Sequence, residues 1–329
     1  MHDFDVAILG AGSFGTAVAI HLAQHQKKVM LWGRDKNQIS GMQAEKVNNK
    51  YLPGIPLPAN ITAEASLQTA ISNAKHLILS VPSHVFAELL KELPDNIKQL
   101  IWLTKGIDPN TDQFLHERVL ERYPTAHFGI LSGPSFAKEV ARNMPTAVTL
   151  ACNNSAYAKE MQALLHTPTL RVYLSEDYVG IQLASAMKNV LAIAVGISDG
   201  LGYGANARAA LITRGLHEMQ SLGHAFDANP KTFTGLTGLG DLVLTATDNQ
   251  SRNRRYGLAI GGGQNTLQAA KEIEQVVEGQ HNAKQICALG KAKNIELPIC
   301  TMVNKLINQH ITPDVAVQTL LNRPASYEY

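Results

Sequence analysis

Residues 5–15 read DVAILGAGSFG: a short apolar run, then glycines at 10, 12 and 15, followed directly by the apolar helical pattern TAVAIHLA. A second strand-like run, KVMLW at 28–32, comes about one helix later. Strand, glycine-rich turn, helix and second strand form the context that turns a weak G-x-G-x-x-G match into a dinucleotide fingerprint. In such a unit Gly10 permits the tight turn, Gly12 lets the backbone approach a pyrophosphate, and Gly15 lets helix and strand pack closely. The amides of Ser13 and Phe14, at the start of the helix, would face the phosphates. A glycine-rich turn without a ligand is the plainer alternative.

The same alternation continues. Strand-like runs stand at 76–81 (HLILSV), 100–104 (LIWLT), 127–131 (HFGIL), 146–151 (TAVTLA) and 170–174 (LRVYL), separated by amphipathic stretches. This is the pattern of βα units building a parallel sheet. Beyond about Asp177 the helical period takes over, with Ser251 to Gly263 as a polar, glycine-rich interruption and Thr312-Pro313 as cap and first turn of a last helix. The expected fold class is α/β, a Rossmann-type parallel-sheet domain over 1–180 followed by an all-helical domain over 181–329.

Composition sets limits. The 329 residues are 45% hydrophobic, enough for a sizeable core, and the formal net charge is +2. The basic residues are dispersed, so no nucleic-acid partner is expected. Three cysteines without C-x-x-C spacing suggest neither a disulfide framework nor a zinc site, and fit a cytoplasmic protein. The amino terminus lacks the basic n-region of a secretory signal. Tyr178 to Ser198 is long and apolar, but it contains Gln182, Lys188 and Asn189; it reads as a core helix, without stable membrane insertion. The histidines show no metal-ligand spacing, and no metal is expected.

Ligands of open parallel sheets bind beyond the carboxyl ends of the strands. After the second strand comes WGRD, in which Arg34 suits a 2'-phosphate and so favours NADPH, while Asp35 leaves NADH open. TKGI and SGPSFAKEV place Lys105, Gly133 and Ser135 near the cofactor's reactive end. Taken singly, each of these reads as an ordinary loop residue; taken together, at the ends of successive strands, they point to a ligand site.

In the helical half, Lys188 is the only charged side chain in YVGIQLASAMKNVLAIAVGIS. A buried ammonium needs a partner or a purpose; the plainer reading is a buried stem with its head in solvent. Asp241 and Thr245 stand one helical turn apart in TGLGDLVLT. Arg252, Arg254 and Arg255 follow in SRNRRYG, a basic loop suited either to solvent or, with Asn253, to a phosphate ester.

GAGSFGTA, TKGI, SGPSFAKEV, the Lys-Asn pair of SAMKNVLAIAVGISDG, GLTGLGDLVLT, SRNRRYG and VVEG, in that order across nearly the whole chain, resemble the bacterial NAD(P)-dependent glycerol-3-phosphate dehydrogenases. The resemblance implies reversible hydride transfer between a nicotinamide cofactor and carbon 2 of dihydroxyacetone phosphate, a small phosphorylated three-carbon substrate, giving glycerol 3-phosphate for phospholipid synthesis. It implies cofactor contacts from Ser13, Phe14, Arg34, Lys105, Ala137, Arg252, Val276 and Glu278. It implies substrate contacts from Lys105, Gly133, Ser135, Asp241, Ser251, Arg252 and Asn253, with Lys188 as acid/base. A helical second domain is compatible with a homodimer. The rival readings are another two-domain hydroxy-acid or hydroxyacyl dehydrogenase, which leaves SRNRRYG unexplained, and a non-catalytic nucleotide-binding module, which needs neither lysine.

Overall fold

The computed structural model describes residues 3–273, 276–324 and 327. The chain divides into two compact units, Met1–Ile181 and Gln182–Tyr329.

The strands of the first unit are β1 (Phe4–Leu9), β2 (Val29–Trp32), β3 (Val47–Asn48), β4 (Leu52–Pro56), β5 (Ile61–Glu64), β6 (Ala74–Leu79), β7 (Gln99–Trp102), β8 (His127–Ser132), β9 (Thr146–Cys152) and β10 (Leu170–Ser175). Eight of them form one sheet in the order β10-β9-β8-β7-β6-β1-β2-β5, and β3 and β4 form a separate antiparallel pair. Every run read as a strand from the sequence is one. Three strands lack a sequence signal: β3 is two residues long, β4 reads LPGIP with two prolines and a glycine, and β5 reads ITAE.

The sheet is parallel except between β8 and β9, which run antiparallel. A parallel return needs a long crossover, usually a full helix. Between β8 and β9 there is only the five-residue helix Ala137–Ala141, so the chain doubles back. The fuller helix Ser155–Leu165 then restores a parallel pairing of β9 with β10.

Residues 6–9 of β1 are fully buried. Their alternation sends Val6 and Ile8 into one core with Ile20 and Leu31, and Ala7 and Leu9 into another with Phe86, Trp102 and Phe128. Strands buried on both faces read as continuous apolar runs, which is why they were legible. The strand order reverses at β1, with β2 on one side and β6 on the other, so the loops after β1 and β6 flank the switch point where such sheets bind ligands.

The second unit is helical. The apolar helix Tyr178–Gly200 is long enough to cross a membrane, but 94% of its most apolar window is buried inside the protein, as a core helix should be. The helices Ala205–His224, Asp241–Thr247, Arg252–Gly261, Glu278–Ala292 and Pro298–Ile307 belong to this unit. A π-helical turn, Leu236–Gly240, runs directly into Asp241. Thr312 caps the last helix, Pro313–Leu321, by accepting from the amide of Val315.

The expected interruption at Ser251 to Gly263 is instead mostly helix, from Arg252 to Gly261. Ser251 caps it, its Oγ accepting from the amide of Arg254 at 3.2 Å. The glycines that suggested a loop serve a helix crossing. A Cβ at Gly257 would lie 2.2 Å from the carbonyl oxygen of Ile193, and one at Gly261 would lie 2.2 Å from that of Ile197. Gly196 and Gly200 answer from the facing helix: a Cβ at either would strike the backbone of Arg254 or Leu258. Glycine at four-residue spacing on both helices lets their backbones touch.

Candidate active site

In the first unit the loop after β1 has the geometry its glycines require. Gly10 sits at φ +132°, where L side chains are strained, and a Cβ there would come 2.3 Å from the carbonyl oxygen of Ser80, just past β6. A Cβ at Gly15 would come 2.1 Å from the carbonyl oxygen of Gly10, so the helix Ser13–Gln24 can lie this close only with glycine there. Gly12 differs: a Cβ would meet nothing within 4 Å, leaving open space at the start of the helix. First-turn amides of a helix have no intrahelical acceptor. Open space over them fits a coenzyme pyrophosphate, with Ser13 and Phe14 as the residues that would hold it. Ser13 Oγ is already used, donating to the carbonyl of Tyr51 at 2.8 Å.

Lys105 follows β7, with its ammonium 6.0 Å from the centre of the Phe14 ring, so the structure brings these two predicted residues together. Gly133, after β8, sits at φ +143° and accepts at its carbonyl from Ser135 Oγ at 2.9 Å. Ala137 opens the next short helix and, like Phe14, packs against the core of the first unit. Arg34 is exposed beyond β2. Asp35 caps the helix Lys36–Glu45, accepting from the amides of Asn37 and Gln38.

In the second unit Lys188 is 4% exposed and Asp241 1%. Lys188 Nζ lies 2.6 Å from Asp241 Oδ1 and donates to Thr245 Oγ1 at 3.0 Å. Thr245 in turn reaches Asp241 Oδ1 at 3.4 Å, as expected for one helical turn. The ammonium is thus buried but paired. The carboxylate partner offsets part of the cost of burying the charge.

Beside it lies an amide network that joins the expected site residues Asn253 and Glu278 through Asn189, and whose other members the sequence did not single out. Asn253 Nδ2 donates to Asn189 Oδ1 at 2.9 Å, and Asn253 Oδ1 accepts from the amide of Gly279 at 2.9 Å. Asn189 also reaches Glu278 and Asn282, each at 3.4 Å. Asn253 is therefore partly engaged in fixing three helices, with one N–H in hand for a ligand. Glu278, four residues before Asn282 on one helix face, belongs to this network; Val276 is exposed in the segment preceding that helix.

The three arginines of SRNRRYG part company. Arg254 is buried, donating to Asp199, to the carbonyl of Ala246 at 3.0 Å and to Asn249 at 3.1 Å. Arg255 is exposed and Arg252 half-buried. Helical spacing separates Arg252 from Arg254, a distinction that composition does not show. Among the described residues no group of three His, Cys, Asp or Glu side chains is placed to hold a metal ion.

Comparison with known proteins gives one answer along the chain. The sequence profile described as NAD-dependent glycerol-3-phosphate dehydrogenase N-terminus matches residues 5–158, and its C-terminus counterpart matches residues 177–318. Proteins named glycerol-3-phosphate dehydrogenase (NAD(P)+) are similar over essentially their full length. That of Legionella pneumophila (strain Lens) is 50% identical over 100% of both chains, and that of Shewanella sediminis (strain HAW-EB3) is 47% identical over 98% of this chain and 97% of its own. The crystal structure of glycerol-3-phosphate dehydrogenase from Coxiella burnetii superposes with a TM-score of 0.94 at 46% identity, covering 97% of this chain and 99% of that one. With profile, sequence and structure in agreement from end to end, the chain belongs to the NAD-dependent glycerol-3-phosphate dehydrogenase family.

Proposed function

We propose that this chain reversibly reduces dihydroxyacetone phosphate to sn-glycerol 3-phosphate, with Lys188 moving the proton. The observation that carries the reading is the buried Lys188–Asp241 ion pair at 2.6 Å, in a chain of this family. Bound nicotinamide coenzyme supplies the hydride in reduction and accepts it in oxidation.

Lys188, paired with Asp241, is the proton donor in reduction. As negative charge grows on the carbonyl oxygen, the ammonium donates to it; in the reverse direction the amine takes the proton from the hydroxyl. Thr245 restricts where the ammonium points. Asn189, on the next residue of the same helix, ties that helix to Asn253 and Glu278, so the lysine's backbone is fixed on two sides. A preorganised donor of this kind contributes roughly 10²- to 10⁴-fold in rate.

Arg252 is the group for the substrate phosphate, with Ser251 and Asn253 beside it, and its planar fork matches two phosphate oxygens. Lys105, Gly133 and Ser135 serve the substrate and the reactive end of the coenzyme. Ser13, Phe14, Ala137, Val276 and Glu278 serve the coenzyme, and Arg34 favours NADPH.

The test is nicotinamide absorbance followed on addition of dihydroxyacetone phosphate or of unphosphorylated dihydroxyacetone. Oxidation with the phosphate ester and little with the free ketone is expected. Arg252→Ala should weaken the ester by far more than the ketone. No oxidation with the ester overturns the activity, and equal losses on both substrates overturn the role of Arg252.

A further inference from the structure

In sheets that bind NAD, an acidic residue after the second strand accepts from the ribose 2'-hydroxyl. Asp35 occupies that region here, and both of its oxygens are committed. Oδ1 accepts from the amides of Asn37 and Gln38 at 3.1 and 3.2 Å, and Oδ2 accepts from Lys50 Nζ at 3.1 Å. The capping amide of Gln38, followed by Lys50, holds the Asp35 carboxyl below its ordinary value, and Asp35 holds the Lys50 ammonium above its own. Both are therefore charged at neutral pH.

Lys50 reaches this place through a built connection. It lies in the turn between β3 and β4, and the preceding Asn48 is fully buried. Asn48 Nδ2 donates to the carbonyl of Ala11 at 3.0 Å and to Thr16 Oγ1 at 2.8 Å; its Oδ1 accepts from the amide of Tyr51 at 3.3 Å and from Gln38 Nε2 at 3.3 Å. Gln38 Nε2 also reaches the carbonyl of Ala11 at 2.7 Å, and Ser13 Oγ reaches that of Tyr51 at 2.8 Å. One buried amide thus staples the 49–51 turn to the glycine-rich loop and to the helix that Asp35 caps. A hairpin with almost no strand signal of its own, and with an irregular register at Val47 and Asn48, is held in place by that staple.

We propose that Lys50 is a second cation, beside Arg34, for the 2'-phosphate of NADPH, and that the Asn48 staple delivers it there. Its present ion pair with Asp35 has the consequence that the acidic side chain is neutralised by a cation held at the residue that follows Arg34 in the chain. The side chain is 55% exposed, so its head is accessible to a ligand. Phosphate, with up to two charges, competes for the ammonium more strongly than one exposed carboxylate does. The proposal rests on the reading that Arg34 meets the adenosine end of the coenzyme.

The experiment is equilibrium titration of the full chain with NADPH and with NADH, read by nicotinamide fluorescence, with Tm as a check on folding. Lys50→Met should weaken NADPH by roughly ten- to a hundredfold, the range a charge-assisted hydrogen bond carries, and change NADH less than about threefold. Lys50→Arg should keep most of the NADPH affinity. Because Lys50→Met also unmasks Asp35, the double variant Lys50→Met/Asp35→Asn is needed; asparagine caps the helix as well as aspartate without the charge. If the NADPH loss persists in the double variant, Lys50 touches the phosphate; if the double variant recovers fully, Lys50 only neutralises Asp35 and the proposal is overturned. Equal losses for both coenzymes also overturn it. Arg34→Ala separates the two readings: an unchanged NADPH-to-NADH ratio there removes the adenosine-end assignment itself, whereas a lowered ratio there with no effect of Lys50→Met removes Lys50 alone.

Discussion

A buried ammonium and a buried carboxylate 2.6 Å apart make a costly pair to assemble in water-free surroundings, and a hydrophobic pair of the same volume would fold as well or better. On the mechanism proposed above, Lys188 and Asp241 would be retained for chemistry rather than for stability. Lys188→Met keeps the apolar stem and removes the proton, so turnover should fall by at least about a hundredfold while NADPH still binds. It also leaves Asp241 buried without its partner, and a Lys188→Met/Asp241→Asn variant should recover Tm without recovering turnover. Stopped-flow reduction of dihydroxyacetone phosphate measures this; a folded variant with near-normal turnover would end the role of Lys188. Arg254 makes the opposite case. It and Arg208 converge on the buried carboxylate of Asp199, so it holds the Arg252 helix in place rather than meeting substrate. Arg254→Met should cost about 3 kcal/mol, a fall in Tm of roughly 6–12 °C, while exposed Arg255→Met should change Tm little. Similar Tm values for the two variants would contradict this division. The sequence shows all three arginines in one basic stretch, and only burial tells the clamp, Arg254, from the two that solvent or a ligand could reach.

At the scale of elements, the strands that define the sheet could be read directly because both of their faces are buried, which makes each one an unbroken apolar run. The βα rhythm foretold neither β4, whose prolines and glycine mask it, nor the reversal between β8 and β9, which depends on the length of a connection rather than on any residue type. The glycines at 257 and 261 misled for a physical reason. Glycine marks a turn when backbone freedom is needed and a helix crossing when closeness is needed, and the two uses look alike until the facing helix is known. The contact of Gly257 with the carbonyl of Ile193 makes the second use measurable. Gly257→Ala places a methyl where there is no room, and should destabilise by about 1–3 kcal/mol despite alanine's better helix propensity. Because Asn253 and Asn189 ride on the same two helices, turnover should fall with it. Gly41→Ala, inside the helix Lys36–Glu45 with nothing within 4 Å of the added methyl, is the control and should be neutral or stabilising by up to about 1 kcal/mol. Two variants of equal stability would mean that the crossing tolerates separation.

Across the whole molecule the glycine-rich loop expected to meet the coenzyme's pyrophosphate lies in the first unit and the pair proposed to move the proton lies in the second, so the two can be perturbed separately. The candidate site was legible wherever a residue type is forced by its surroundings: glycines where backbone packs too closely for a Cβ, a lone lysine in an apolar helix, an aspartate and a threonine one turn apart. It was illegible where it depends on partners far away in sequence, as with Asn48 against Ala11 and Thr16, or Asn189 against Asn253 and Asn282. Gly12 offers the cleanest separation. It already has ordinary backbone angles for an L residue, φ −78° and ψ −176°, and it occupies the cap position of the helix Ser13–Gln24. Aspartate is a preferred cap and carries the sign that a helix start stabilises, so Gly12→Asp should leave the ligand-free chain as stable as before, or more stable by up to about 1 kcal/mol. The same side chain would fill the open space and set a carboxylate against the coenzyme's phosphates. Binding to the folded state alone stabilises by about 2.7 kcal/mol at a hundred times Kd. Unfolding of a chain with two compact units need not be a single transition, so calorimetry rather than one spectroscopic probe should follow it. NADPH is expected to raise the transition of the first unit in the parent chain and to leave it unmoved in Gly12→Asp. A variant that keeps its NADPH-induced shift would show that the pyrophosphate binds somewhere other than over this glycine.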